Sequence, residues 1–218
     1  MLKRLVLFLA LAVLTAAQAA ARGEQPATFD YYVLSLSWSP TYCAGKAVKR
    51  NDTQCAPGRR FAFVVHGLWP QYETGWPERC RTSQRWVPKR QIRDMLDIMP
   101  STGLIIHEWK KHGTCSGLSQ KGYFGLTRRL FDKVKIPARY LSPNNPVHVT
   151  PAQLVTDFVK TNRGLTPDML SVQCGNRRDT ANLRELRICF TKAGALRACG
   201  SNERRACRAE TLVLPPVR

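Results

Sequence analysis

Acidic residues are scarce in this chain of 218 residues: 15 Asp and Glu stand against 34 Lys and Arg, a formal net charge of +19. A field of that sign concentrates polyanions and speeds their capture. Nucleic acid, anionic lipid and acidic polysaccharide all answer to it, and so does plain solubility, so charge alone does not choose. Long apolar runs are also missing. The longest, Leu5 to Leu14, falls short of the roughly 20 residues that span a bilayer, so the mature chain is expected to be soluble, without membrane insertion. No C-x-x-C occurs, which weakens the zinc-ribbon and thioredoxin-like readings. There is no internal repeat, no low-complexity tract and no linker long enough to separate domains, so one domain is expected over 22–218.

What is present begins with Met1 to Ala21. A basic start (Lys3, Arg4), an apolar stretch and alanine-rich cleavage choices near Ala17-Gln18-Ala19 or Ala19-Ala20-Ala21 form a secretory signal. Export to the periplasm or the exterior permits disulfides, and eight cysteines make four structural bridges the better reading. Asn51-Asp52-Thr53 is a formal glycosylation sequon, of consequence only in a host that uses it.

The order of elements predicts an α+β domain, not a regular βαβ repeat. Phe29 to Trp38 alternates as a strand, and Arg60 to His66 is a second one, apolar enough to be central. It delivers His66 at its end, before Gly67-Leu68-Trp69-Pro70, where the glycine lets a ligand approach the backbone. Taken alone, His66 reads more readily as a satisfied core or turn residue. Trp69 and Tyr72 suit stacking on nucleobases, and equally suit a core. Pro88 to Met99 and Tyr123 to Val134 read as amphipathic helices, and Thr150-Pro151 caps another through Asn162. His148 precedes that cap with no acid or imidazole near it in sequence and reads as structural. Leu170 to Cys174, Leu183 to Phe190 and a short run near Leu196 to Cys199 are expected strands. A bridge from Cys189 to Cys199 is natural across the turn region they flank.

The densest chemistry lies in His107-Glu108-Trp109-Lys110-Lys111-His112-Gly113-Thr114-Cys115. On a helix each residue advances about 100°, so His107 with Lys111 and Glu108 with His112 stack as neighbouring i, i+4 pairs over about 140° of one face. Trp109 points to the core, and Gly113 offers a left-handed residue to end the helix. The zinc motif H-E-x-x-H is a near neighbour of this pattern. Here the second histidine falls at i+5 and an ammonium, Lys111, takes the place of the second ligand, which opposes a cation.

Phe63 to Pro70 and His107 to Cys115 together resemble the two active-site segments of the ribonuclease T2 family. The resemblance extends through Ser37-Trp38-Ser39-Pro40-Thr41-Tyr42-Cys43 and Glu185-Leu186-Arg187-Ile188-Cys189-Phe190. It implies an α+β fold with a central, mainly antiparallel sheet. The implied activity is an acid-base endoribonuclease needing no metal or other cofactor, which cleaves single-stranded RNA through a 2′,3′-cyclic phosphate. The implied roles are His66 and His112 as the acid-base pair, His107 as a phosphate-binding helper, and Glu108 with Lys111 as stabilisers of the phosphorane. The implied bridges are Cys43 to Cys55, Cys80 to Cys115, Cys174 to Cys207 and Cys189 to Cys199. The protein is expected to act as a monomer.

The residues suit that chemistry independently. One group must take the 2′-OH proton, another must protonate the departing 5′-oxygen, and cations must meet the charge growing on phosphorus-bound oxygens. Imidazole serves either proton role near neutrality. Because the substrate supplies its own nucleophile, DNA is expected to bind and survive. A binding or membrane-active protein shares the charge and the bridges, but has no need of two imidazoles, a carboxylate and a lysine gathered at matched positions.

Overall fold

The computed structural model describes residues 25–45 and 53–217. The signal segment 1–21 and Asn51 of the sequon lie outside the described residues. Strand β1, Tyr31–Trp38, is hydrophobic on both faces: Tyr32, Leu34, Leu36 and Trp38 enter the main apolar cluster, while Tyr31 and Val33 enter a small second one with Cys189. A strand buried on both sides belongs inside a sheet, and β1 pairs antiparallel with β2 (Phe63–Gln71) and with β5 (Thr180–Thr191). β4 (Leu170–Cys174) adds antiparallel to β5, and β6 (Thr211–Leu214) runs parallel to the start of β5 and pairs with β3 (Val147–Val149). The architecture is α+β, with one mainly antiparallel six-stranded sheet.

β2 does not end at His66 as the sequence suggests; it runs on to Gln71. Ser35 pairs with Gly67 and Leu36 with Val65, so His66 is the extra residue of a β-bulge. The bulge shifts the alternation, so Val65 and Leu68, three apart, both reach the main core. The opposite face of the sheet carries Gly67, Ser35 and Arg187 in one cross-strand row, with Glu185 two residues before Arg187.

Five α-helices are described: α1 (Ser39–Cys43), α2 (Lys89–Arg93), α3 (Thr102–Lys111), α4 (Gln120–Asp132) and α5 (Pro151–Thr161). Tyr123, Phe124, Leu126 and Leu130 of α4 and Leu154 and Phe158 of α5 join the main cluster with the core face of β1. The capping box at Thr150 and Gln153 starts α5 where the sequence places it. α2 is shorter than the expected 88–99 helix. After Arg93 the chain continues in turns, because nearby groups take its carbonyls: Arg128 donates to the Asp94 carbonyl and the Val65 amide to that of Ile98 at 2.8 Å. The run 196–199 forms only an isolated bridge, Phe190 to Leu196.

Four disulfides join Cys43 to Cys55, Cys80 to Cys115, Cys174 to Cys207 and Cys189 to Cys199, the pairs that the resemblance implies. Among the described residues no helix is long and apolar enough to cross a membrane.

Candidate active site

α3 begins at Ser101, whose hydroxyl accepts from the Leu104 amide, and ends at Lys111. Its Ile105 and Trp109 bury themselves in the main core, which fixes the helix rotation and turns Glu108 and His112 towards the open face of the sheet. His107 stays exposed on the outer side and Lys111 is half-buried. The two expected stacked pairs are therefore divided by depth, Glu108 with His112 inside and His107 with Lys111 at the rim.

Gly113 is not the left-handed terminator that the sequence suggests. The positive-φ glycines among the described residues are at 58, 75, 117, 164 and 194. Gly113 instead opens the tight turn Gly113–Cys115, where a Cβ would meet Trp109 Cε3 at 2.4 Å. Gly67 likewise makes room for a neighbour. A Cβ there would lie 1.9 Å from Glu108 Oε2, so the missing side chain admits the carboxylate over the strand.

His66, Trp69, His107, Glu108, Lys111 and His112 line one cavity of about 300 Å³. Glu108 is 1% exposed; its Oε2 accepts from Trp69 Nε1 at 2.8 Å and its Oε1 lies 3.8 Å from His66 Nε2. Trp69 packs beside both imidazoles. Its ring lies 5.2 Å from His66 and 5.5 Å from His112, centroid to centroid, with the Arg187 guanidinium 4.9 Å from its centre. Lys111 Nζ sits 3.6 Å from Glu78 Oε2. Tyr72 packs against the main apolar cluster, away from the lining of the cavity, and Trp76 lines the wall in its stead. His148 is exposed in β3, apart from these groups.

The structure adds Glu185 and Arg187, which sequence reasoning noted only as members of a motif. His66 Nδ1 lies 2.7 Å from Glu185 Oε1, and Arg187 holds the other carboxylate oxygen at 2.9 and 3.0 Å. Two charges at i and i+2, beside the fully buried Cys189, were the available signal, since such a strand face has to meet a polar partner. Asn202 and Glu203 complete the wall, with the Tyr31 hydroxyl donating to Glu203 at 2.5 Å. A second recess of about 520 Å³ shares His66 and Glu185 and is lined further by Ser37, Tyr42, Leu104 and Arg184.

These contacts divide the two imidazoles. Burial opposes charge on His66, but the hydrogen bond to Glu185 and the charges of Glu108 and Glu185 outweigh it and hold His66 above its ordinary value. Burial, then the cations Lys111, His66 and His107, push His112 down to about 3. His112 is 6% exposed and its Nδ1 has no hydrogen-bond partner among the described residues, so no acceptor supports a proton at that nitrogen. His107 is lowered by burial and by Lys111 and Arg79. Burial lifts Glu108 to about 7. Burial also acts against charge on Glu185, but His66 and Arg187 override it and bring the carboxylate to about 2. His112 thus favours the neutral form and His66 the charged one, and both rings lie beside the same indole. That is the pairing required to remove one proton and deliver another.

Comparison with known proteins places this geometry. The sequence model of the ribonuclease T2 family matches residues 29–199. A ribonuclease of Aeromonas hydrophila is 39% identical over 174 residues, which cover 80% of this chain and 77% of that one. A probable ribonuclease of Haemophilus influenzae is 38% identical over 128 residues, 53% of this chain and 47% of its own. The fold is shared with an RNase-related protein from Calystegia sepium, with a TM-score of 0.69 at 24% identity over 87% of this chain and 98% of that one. With both motif segments inside the matched region and their side chains in one cavity, the chain belongs to the ribonuclease T2 family and is an endoribonuclease.

Proposed function

We propose that the protein cleaves single-stranded RNA by transphosphorylation, without a metal ion or other cofactor, and that it does so as an exported monomer after removal of residues 1–21, with 22–218 as one catalytic domain. The observation that supports the mechanism is that His66 and His112 line one cavity with His107, Glu108 and Lys111, in surroundings that shift the two imidazoles in opposite directions.

In the first step neutral His112 takes the proton of the 2′-OH, and the 2′-oxygen forms a bond to phosphorus. Charged His66, oriented through Nδ1 by Glu185, gives its proton to the departing 5′-oxygen as the P–O5′ bond breaks. Lys111 and His107, at the rim, meet the charge on the non-bridging oxygens. Glu108, when protonated, donates to the same oxygens. The products are a 2′,3′-cyclic phosphate and a free 5′-OH. Hydrolysis of the cyclic phosphate reverses the roles: His66, now neutral, activates water and His112 returns its proton to the 2′-oxygen, leaving a 3′-phosphate. The two recesses that meet at His66 suit the nucleosides on either side of the broken bond. DNA, lacking the 2′-OH, is bound and left intact.

The test is digestion of a defined dinucleotide and of bulk RNA in excess EDTA, with products identified by mass. Transient cyclic phosphate with DNA untouched is the expected result. Activity that vanishes with EDTA and returns with a divalent ion, or products without a cyclic phosphate, overturns the mechanism.

A further inference from the structure

The side of α3 turned away from the catalytic cavity borders another recess, of about 770 Å³, lined by Arg81, Arg85, Trp86 and Lys110 and by no acidic residue. Trp86 is 82% exposed, the most open large hydrophobic side chain among the described residues. An indole left in water forgoes the stabilisation that a large apolar side chain gains by burial. Lys110 Nζ lies 5.4 Å from the centre of its ring.

The backbone beneath this side chain is held firmly. Gln120 Nε2 donates to the Trp86 carbonyl at 2.8 Å and to that of Gln84 at 3.2 Å. Trp109 Nε1 donates to the Gln84 carbonyl at 2.7 Å, and the Cys80–Cys115 disulfide closes the near end. Trp86 thus projects from an ordered base, and a ligand that covers it pays little ordering entropy. The chain leads there directly from the catalytic rim. The Arg79 amide donates to the Lys111 carbonyl at 2.8 Å, and Cys80 and Arg81 follow.

We propose that Trp86, Arg81, Arg85 and Lys110 form an auxiliary subsite for single-stranded RNA, in which a nucleobase remote from the cleaved bond stacks on Trp86 and flanking phosphates meet the three cations. The proposal deepens the ribonuclease reading and rests on it. Aromatic faces accept any base, and arginine and lysine neutralise the backbone, so the subsite raises affinity for long chains without adding sequence preference. Cations alone would serve an acidic protein or an anionic membrane equally. The fixed, open indole and the continuity with the rim of an RNA-cleaving cavity favour RNA.

The test compares wild type with Trp86→Ala, Trp86→Tyr and the double variant Arg81→Ala/Arg85→Ala on a dinucleotide and on an oligoribonucleotide of about 20 nucleotides, longer than the catalytic cavity alone engages. For Trp86→Ala, KM for the long substrate is expected to rise about tenfold, within what one stacked base contributes. Its kcat, and both constants for the dinucleotide, stay unchanged. Trp86→Tyr recovers most of the loss, and the double variant weakens the salt dependence of the long substrate. The affinity of a 2′-deoxy oligonucleotide of the same length is measured alongside and is expected to fall by a similar factor.

An unchanged KM for the long substrate overturns the proposal. So does an equal loss on both substrates, which marks damage to the fold, and so does intact oligonucleotide affinity with lost binding to anionic phospholipid vesicles, which reassigns the surface to lipid. If wild type cleaves neither substrate, the ribonuclease reading falls instead, and the 2′-deoxy oligonucleotide still reports on Trp86.

Discussion

The Nδ1 of His66 lies 2.7 Å from Oε1 of Glu185, a residue 119 positions later in the chain. The two come together because β1 lies between β2 and β5 and Ser35 pairs with both Gly67 and Arg187, while the bulge at His66 turns the imidazole onto the face that carries Glu185. The carboxylate fixes the proton-bearing nitrogen and leaves Nε2 to face the cavity and Glu108. Arg187 holds that carboxylate from the other side, so the orientation of His66 is set by a chain of charged groups within the sheet.

If that contact sets the charge of His66, replacing Glu185 by Gln removes the charge and keeps the shape. The alkaline limb of kcat/KM should move to lower pH as His66 loses its support, and kcat should fall, by no more than the roughly 10²- to 10⁴-fold that proton transfer contributes. An alkaline limb that stays in place in the pH–rate profile of the variant would remove Glu185 from the mechanism.

The wild-type profile should itself be broad. The proposed mechanism needs neutral His112, hence pH above its lowered value of about 3, and charged His66, hence pH below a value raised from 6.5. Activity therefore rises well on the acid side of ordinary imidazole titration and is lost only above it. Initial rates on a dinucleotide across the range check this, and an acid limb near the ordinary imidazole value would contradict the assignment of the base.

Glu108 carries a stability cost with a definite sign. Its folded value, about 7, lies above the ordinary 4.5, so the folded state binds the proton more tightly and stability declines as pH rises from 4.5 through 7. Glu108→Gln keeps an acceptor for Trp69 and removes the buried charge. Its melting temperature relative to wild type should therefore climb between pH 4 and pH 8 while its activity drops. Parallel thermal melts at the two pH values, with no change in the difference, would refute it.

Gly67→Ala tests the close approach over the strand. The new methyl would displace the Glu108 carboxylate, and with it the Trp69 contact. Overpacking of this kind costs about 1–3 kcal/mol, so a folded protein with a lowered denaturation midpoint and strongly reduced kcat is expected. A fully active variant would show that Glu108 does not need that position.

The sequence made the local features of this protein readable, because they depend on neighbours within a turn or two. The capping box at Thr150, the stacked pairs on α3, the alternation in β1 and the two histidine motifs are all of that kind. Composition determined the polyanion-attracting charge, and eight cysteines pointed to four bridges. Tertiary structure decided what depends on pairing across the sheet. The bulge that aims His66 exists only in the register of β2 against β1, and Glu185 and Arg187 become partners only once β5 lies beside β1. Trp69 came to lie beside both imidazoles, and Gly67 and Gly113 make room for Glu108 and Trp109. Residue types supply the titratable groups, but burial and charge partners set which imidazole favours the neutral form and which the charged one, and those belong to the folded chain alone.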